Sequence, residues 1–200
     1  MPSYTIPYAK TPDWSTVPEM ELRHCGWTPM SGITAKAQLC YDEEALHVRM
    51  EAVESAIRAT FTGKLDPVCQ DSCLEFFFAP RAEDKRYFNL EWNFLGALNL
   101  GFGAERANRD RQIPKKPEEL FKAQPFRTEE GWGITFDLPL RLLQVYFPDY
   151  RFEGEAAANF YKCGDVTPLP HFLAWSFIHS ETPDFHRRGD FGQLVFGPKA

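Results

Sequence analysis

Residues 66–96, DPVCQDSCLEFFFAPRAEDKRYFNLEWNFLG, contain two runs in which the side chains alternate in character. Within each run, every second residue is large and apolar: Leu74, Phe76, Phe78, Phe88, Leu90 and Trp92. A period of two is typical of β-strands, because successive side chains point to opposite faces of a sheet. The polar segment AEDKR between the runs predicts a short turn, so we expect the two strands to pair as an antiparallel hairpin.

The opposite face of this hairpin carries carboxyl and amide groups, which belong to Glu75, Asn89, Glu91 and Asn93. Such groups suit sugar hydroxyls, because each hydroxyl both donates and accepts a hydrogen bond. The same pattern also fits an ordinary solvated sheet face with cross-strand polar pairs. Alternation alone favours the solvated face, and both interpretations stay open at this point.

Alternation recurs on either side of this hairpin. Residues 33–40 and 45–52 predict a second hairpin around a polar turn. Further strands are predicted at residues 131–139, 155–163, 171–177 and 192–197. Short helices are predicted at residues 116–124 and 138–148, and residues 104–116 are predicted to form a long exposed loop. The pattern predicts an all-β, antiparallel β-sandwich of jelly-roll type with one or two short peripheral helices, in a single domain over residues 1–200.

Composition narrows the classes of partner. The 200 residues include 22 Lys and Arg against 28 Asp and Glu, a net charge of -6. This balance argues against nucleic acid or an anionic membrane surface as the main partner. No apolar run approaches the ~20 residues that span a bilayer, and the first residues do not resemble a signal peptide. We therefore expect a cytoplasmic protein, or an extracellular one if the sequence is part of a longer chain.

Five cysteines, an odd number, occur without a CxxC pair. This spacing indicates neither a disulfide framework nor a zinc knuckle. We expect reduced thiols that are mostly buried.

A second group of candidate binding residues lies near the C-terminus. Asn159 and Tyr161 share one face of a predicted strand, and Trp175 lies in the middle of another. Phe185 and His186 belong to the predicted loop PDFHRRGDFG. An aromatic and a histidine on a loop could form the wall of a binding site, or they could cap the end of the sandwich. The sequence does not separate these two outcomes.

Two other functions are compatible with particular residues. Glu75 and Glu91 could be the paired carboxylates of a small glycoside-processing enzyme, whose separation would set its stereochemistry. Met50 and His186 could be the axial ligands of a haem in an electron-transfer sandwich. The sequence contains no nucleophile elbow, P-loop or HExxH motif, so we expect a protein without catalytic residues.

Residues 10–197 resemble the family 9 carbohydrate-binding modules, first associated with xylanases, and their stand-alone relatives. The resemblance is carried by segments in a shared order: 71–80, 87–96, 131–140, 159–165 and 174–196. It implies a β-sandwich that binds carbohydrate, often with structural calcium, in carbohydrate catabolism and as an accessory to an O-glycosyl hydrolase. It leaves the sugar and the oligomeric state open.

The resemblance also implies site residues. Members of the family hold a sugar ring between two tryptophans, and polar groups recognise its hydroxyls. Glu75 matches a polar binding position, whereas Asn89 and Glu91 stand where members have an Arg and an Asn. Phe185 stands in place of one tryptophan, and the other falls near Val68 and Cys69. The predicted binding residues are Glu75, Asn89, Glu91, Asn159, Tyr161, Trp175, Phe185 and His186.

Overall fold

Thirteen strands and two short α-helices occur in residues 1–199, the part of the chain that this computed structural model describes. The strands are β1 (Ser3–Ile6), β2 (Glu19–His24), β3 (Thr34–Tyr41), β4 (Ala45–Val53), β5 (Cys73–Ala79), β6 (Tyr87–Asn93), β7 (Leu98–Gly103), β8 (Arg109–Gln112), β9 (Gln124–Arg127), β10 (Gly131–Pro139), β11 (Glu155–Cys163), β12 (Phe172–Ala174) and β13 (Gly192–Phe196). The helices are α1 (Pro117–Phe121) and α2 (Leu140–Tyr146).

Hydrogen bonds connect the strands in the order β8-β7-β6-β5-β11-β12-β2-β3-β4-β10-β9, and β13 joins β11 to β1. Neighbouring strands run antiparallel except β1 and β13, which run parallel. The sheet built from these strands folds over on itself. As a result, β5–β8 and β11 form one layer, and β2–β4, β9 and β10 form the other. The predicted β-sandwich with peripheral helices is confirmed.

Apolar side chains from both layers meet in the interior. Phe136 of β10 lies 6.3 Å from Phe76 of β5 and 5.6 Å from Trp92 of β6, measured between ring centroids. Trp132, which lies in phase with Phe136 on β10, is fully buried in the same core. The alternation in residues 66–96 therefore identified the inner face correctly, and β5 and β6 pair as expected.

A second apolar cluster lies on the outer face of β5, β6 and β11. It includes Phe77, Tyr87, Tyr161 and Phe191. The segment between β12 and β13 crosses this face and contributes Phe185 to the cluster. The outer face is therefore covered by chain, and a pocket remains where the cover is incomplete.

Several strands were not predicted from the sequence. Residues 104–116 were expected to be one loop, but residues 109–112 form β8, which pairs with β7 at the edge of its layer. Its sequence, RDRQ, has no apolar position, so hydrophobic alternation could not reveal it. The strand predicted at residues 171–177 ends at Ala174.

Four of the five cysteines are buried, as expected, and the fifth, Cys69, is partly buried. No helix in residues 1–199 combines the length and the hydrophobicity that crossing a bilayer requires.

Candidate functional site

The outer face of β5 to β8 forms the base of a pocket with a volume of about 180 Å³. Glu75 of β5 and Glu91 of β6 are register partners, so their side chains project next to each other into it. We call this pair the carboxyl floor. Five of the predicted binding residues line the pocket: Glu75, Asn89, Glu91, Phe185 and His186.

The interpretation of this face as a solvated sheet surface is wrong. Glu75 is 3% exposed, Glu91 5% and Asn89 1%. Residues 65–69 and 183–186 belong to segments that cover the face and line the pocket above it. These polar groups are therefore largely removed from bulk water and need partners in the protein or in a ligand.

Glu91 is held by two asparagines. The Asn89 and Asn99 amides each donate a hydrogen bond of 2.7 Å, one to each carboxylate oxygen. The carbonyl oxygen of Asn89 accepts from Arg109, and that of Asn99 accepts from Arg111. Each asparagine therefore links an arginine to Glu91, and this network fixes one half of the carboxyl floor.

Arginines form one side of the pocket. Arg109 and Arg111 lie two residues apart on β8, and Arg106 belongs to the loop before it. We call these three residues the arginine wall. Arg109 also donates to the Tyr87 hydroxyl at 2.7 Å and to the backbone oxygen of Glu105 at 3.0 Å.

Glu75 has a different environment from Glu91. Its hydrogen-bond partner is the Cys163 thiol, which donates to Oε1 at 3.0 Å. Burial, and then the neighbouring Glu91 carboxylate, hold the pKa of Glu75 well above its usual range. Burial also raises the pKa of Glu91, although the bonds from Asn99 and Asn89 oppose that shift. A neutral carboxyl both donates and accepts, as a sugar hydroxyl does.

Aromatic rings form the side of the pocket opposite β8. Phe185 lines it, but its ring is only 9% exposed because it stacks on Tyr161 at a centroid distance of 4.1 Å. Trp27 lines the pocket next to Phe185, at 5.7 Å, and is partly exposed. The Trp27 indole donates to the backbone oxygen of Ser180 at 2.8 Å, which fixes its ring against the covering segment. Trp27 therefore offers more ring surface to a ligand than Phe185 does.

His186 lies where the aromatic side meets the arginine wall. Its Nδ1 is 2.9 Å from the Tyr87 hydroxyl oxygen, and its ring lies 4.9 Å from that of Phe77. Burial, and then the positive charge of Arg109 and its neighbours, lower the pKa of His186 to about 3. The imidazole is therefore neutral at neutral pH.

The structure does not bring the other predicted residues to the pocket. Asn159 is fully buried. Its amide nitrogen donates to the backbone oxygen of Ser176, and its amide oxygen accepts from the backbone N–H of the same residue. Tyr161 is fully buried beneath Phe185 and donates to its backbone oxygen at 3.0 Å. The Trp175 ring lies against Gly192, where a Cβ would come within 2.4 Å of it. These three residues support the covering segment. Asn93 likewise bonds to Asp71, at 2.9 Å, away from the pocket.

Several pocket residues were missed by the sequence analysis: Trp27, Asn99, Arg106, Arg109, Arg111 and Cys163. Asn99 could have been found, because Leu98, Leu100 and Phe102 alternate with it in β7. The arginines lie in the segment taken for a loop. Trp27 lies between two strands, next to Gly26, in a segment without periodicity.

One group of side chains has the composition of a small metal site. A carboxylate oxygen of Glu75 and the sulfurs of Cys73 and Cys163 lie within 4.8 Å of one another, and all three residues are buried. Two sulfur ligands do not suit calcium, which takes oxygen ligands. The haem hypothesis fails on position: Met50 lies in the core between the layers, whereas His186 lies on the outer face. These two side chains cannot bind one haem from opposite sides.

The chain matches the family model described as carbohydrate-binding family 9 over residues 13–196. Among solved structures, a candidate carbohydrate-binding protein from Bacteroides uniformis is 25% identical, with a TM-score of 0.84; the match covers 98% of this chain and 99% of that one. A family 9 module from Caldicellulosiruptor kristjanssonii shares the fold in two complexes. The cellotriose complex is 10% identical with a TM-score of 0.69, covering 99% of this chain and 95% of that one. The glucose complex is 11% identical with a TM-score of 0.67, covering 99% and 97%. Comparison with curated proteins gives no match.

Proposed function

The chain belongs to carbohydrate-binding family 9, and from this membership we propose that it binds a mono- or oligosaccharide in the pocket above the carboxyl floor without transforming it. The observation that carries the proposal is the combination of buried polar groups with one exposed aromatic side. Solved family 9 complexes with cellotriose and glucose support carbohydrate as the class of ligand.

The pocket offers both kinds of contact that a sugar ring needs. Glu75 lies next to the Glu91–Asn89 pair, so donors and acceptors are spaced along two adjacent strands. Adjacent hydroxyls of a pyranose can be bridged by such planar groups. The apolar face of the ring can pack on Trp27, whose indole is held by its bond to Ser180. A volume of about 180 Å³ favours the end of a chain or a single sugar over a long polysaccharide.

A glycosidase mechanism fits this geometry poorly. Catalytic carboxyl groups flank the scissile bond, roughly 5–10 Å apart on either side of it. Glu75 and Glu91 instead project from adjacent strands on the same face. Both oxygens of Glu91 are already occupied by asparagine amides. We therefore propose binding without catalysis. Association with a glycosyl hydrolase and structural calcium stay predictions.

A panel of mono- and disaccharides, followed by calorimetry on the best ligand, tests this function. Replacing Glu75 with Gln should weaken binding about tenfold, because the amide nitrogen can only donate a hydrogen bond, whereas the carboxyl oxygen that it replaces can also accept one. Glu21→Gln is the matched control, since Glu21 lies exposed on β2, outside the pocket. Its affinity should equal that of the wild type.

The outcomes separate clearly. Saturable binding that Glu75→Gln weakens and Glu21→Gln leaves unchanged supports the proposed site. Saturable binding that neither change affects moves the site away from the carboxyl floor. If no sugar in the panel binds to the folded wild-type protein, the proposed function is wrong.

A further inference from the structure

The arginine wall contains more positive charge and more hydrogen-bond donors than a neutral sugar needs. The ion pairs that arginines form within residues 1–199 involve other arginines: Arg49, Arg58, Arg81, Arg86 and Arg187. Within residues 1–199, Arg106, Arg109 and Arg111 form no ion pair with the carboxyl residues that also line the pocket: Glu75, Glu91, Asp165 and Asp184. Three guanidinium groups therefore face one cavity with their charges not paired directly.

Two glycines of β7 leave the space through which the arginine side chains of β8 reach the pocket. Gly101 is the register partner of Arg111, and Gly103 is the partner of Arg109. A Cβ at Gly101 would lie 2.5 Å from Asn89 Oδ1 and 3.1 Å from Arg109 Cδ. A Cβ at Gly103 would lie 2.6 Å from Arg109 Cβ. Because both side chains are absent, the guanidinium of Arg109 can lie across β7 and reach Asn89 on β6.

The arginines differ in how many donors they keep free. A guanidinium carries five N–H groups. Arg109 uses most of them on Asn89, Tyr87 and the backbone of Glu105, so it is a fixed part of the wall. Arg111 bonds through Nη1 to Asn99, and its side chain is otherwise exposed. Arg106 is also exposed and lines the same side. Arg106 and Arg111 therefore keep donors for a ligand.

We propose that the pocket takes a sugar that carries an anionic group, whose oxygens bind Arg106 and Arg111 while its hydroxyls lie on the carboxyl floor. The planar fork of a guanidinium matches a carboxylate or a phosphate in a bidentate manner. The floor sets the orientation, because the Glu91 carboxylate disfavours an anion and leaves the side at β8 for it. This inference rests on the proposed function, and it names the class of sugar. A uronic acid and a sugar phosphate share this chemistry.

Paired ligands test the inference by calorimetry. Each neutral sugar of the panel is compared with its uronic acid: glucose with glucuronic acid, galactose with galacturonic acid and mannose with mannuronic acid. Glucose 6-phosphate represents the phosphate source. We expect the preferred anionic sugar to bind about tenfold more tightly than its neutral parent, the gain typical of a charge-assisted bidentate contact.

Variants of the wall assign the preference to residues. Arg111→Gln should remove most of the preference for the anion, measured on this variant as the ratio of its affinities for the anionic sugar and for the neutral parent. Gly101→Ala should weaken the binding of both the anionic sugar and its neutral parent, since the added methyl group displaces Asn89, which supports the carboxyl floor, as well as Arg109. Arg141→Gln is the control, because Arg141 is an exposed residue of α2 outside this pocket and its loss changes the net charge equally.

Every outcome is informative. A neutral sugar that binds as tightly as its uronic acid and as the phosphate overturns the anionic ligand while the proposed function stands. A preference for anions that Arg111→Gln leaves intact overturns the assignment to the arginine wall. Absence of binding by any sugar overturns both proposals. Tighter binding of the phosphate than of every uronic acid supports the anionic site and identifies phosphate as its group.

Discussion

Glu54 and Glu75 are equally buried, at 3% exposure each, but they are surrounded in opposite ways. Glu54 lies inside the sandwich, 3.1 Å from the ammonium of Lys162, a residue with no exposure. The Trp132 indole and the Ser72 hydroxyl also donate to it, at 3.0 and 2.8 Å. Glu75 has the Cys163 thiol as its hydrogen-bond partner, and the carboxyl beside it is another glutamate.

This difference separates a structural carboxylate from one that is available for binding. Desolvation of an ion is tolerated when an opposite charge and hydrogen bonds compensate it, as they do around Glu54. Around Glu75 the compensation is incomplete, and the group faces a pocket. A perturbed carboxyl in a cavity is a candidate for ligand binding, whereas a similarly buried one in a closed network is part of the framework.

The largest expected effect is on the free energy of unfolding, through the ion pair of Glu54 with Lys162. Lys162→Met should lower the free energy of unfolding by ~3–5 kcal/mol, because Glu54 would stay buried without its charge partner. Denaturation in urea measures this change. By contrast, Glu75→Gln should leave the free energy of unfolding unchanged or raise it, since it removes a carboxyl that is poorly compensated.

A double variant checks the reason for the loss. Lys162→Met combined with Glu54→Gln should recover most of the stability, because no unpaired charge remains in the interior. Lys36→Met, at a half-exposed lysine of β3, controls for the loss of charge. Equal destabilisation by Lys162→Met and Lys36→Met would contradict the distinction between the two regions.

In the pocket, we expect a substitution to change the affinity for sugar. Trp27→Ala should weaken sugar binding by ~1–2 kcal/mol, about tenfold, because the ligand loses its aromatic surface. Calorimetry with the best ligand measures it. Trp14→Ala provides a matched control, since Trp14 is also partly exposed but lies outside the pocket. A fall in affinity with Trp14→Ala and none with Trp27→Ala would remove Trp27 from the site.

Alternation predicted the inner faces of β5 and β6 because their apolar positions follow a strict period of two. It also identified the two carboxyl groups of the floor. The pocket around them depends on contacts between segments far apart in sequence. Trp27 is 158 positions from Phe185, its neighbour in the pocket. No local pattern encodes that contact, so the more exposed aromatic residue was not predicted.

Burial was the other unpredictable property. Tyr161 and Phe185 were expected to face a ligand, but they stack on each other, 4.1 Å apart. Residue type does not reveal whether the partner of an aromatic ring will be a ligand or another side chain. The arginines of β8 were not predicted for a related reason: an edge strand of polar residues has no apolar period.

The smallest expected effect, counted per pH unit, is a pair of opposite pH dependences. The pKa of Glu75 is raised in the folded state, mainly by burial. Folding therefore favours its protonated form, and its contribution to stability decreases as pH rises above about 4.3, the ordinary glutamate pKa. Burial, and then the charge of Lys162, lower the pKa of His171 to about 4. Its contribution is complete above about pH 6.5 and is lost as pH falls towards 4.

Unfolding free energies measured from about pH 4 to pH 7, on both sides of the ordinary histidine pKa, resolve the two contributions. The difference between wild type and Glu75→Gln should move against the wild type as pH rises. The difference between wild type and His171→Gln should move against the wild type as pH falls. Each slope is limited to about 1.4 kcal/mol per pH unit, the value for one proton. Slopes of the same sign would show that the two buried regions do not differ in the way that their partners indicate.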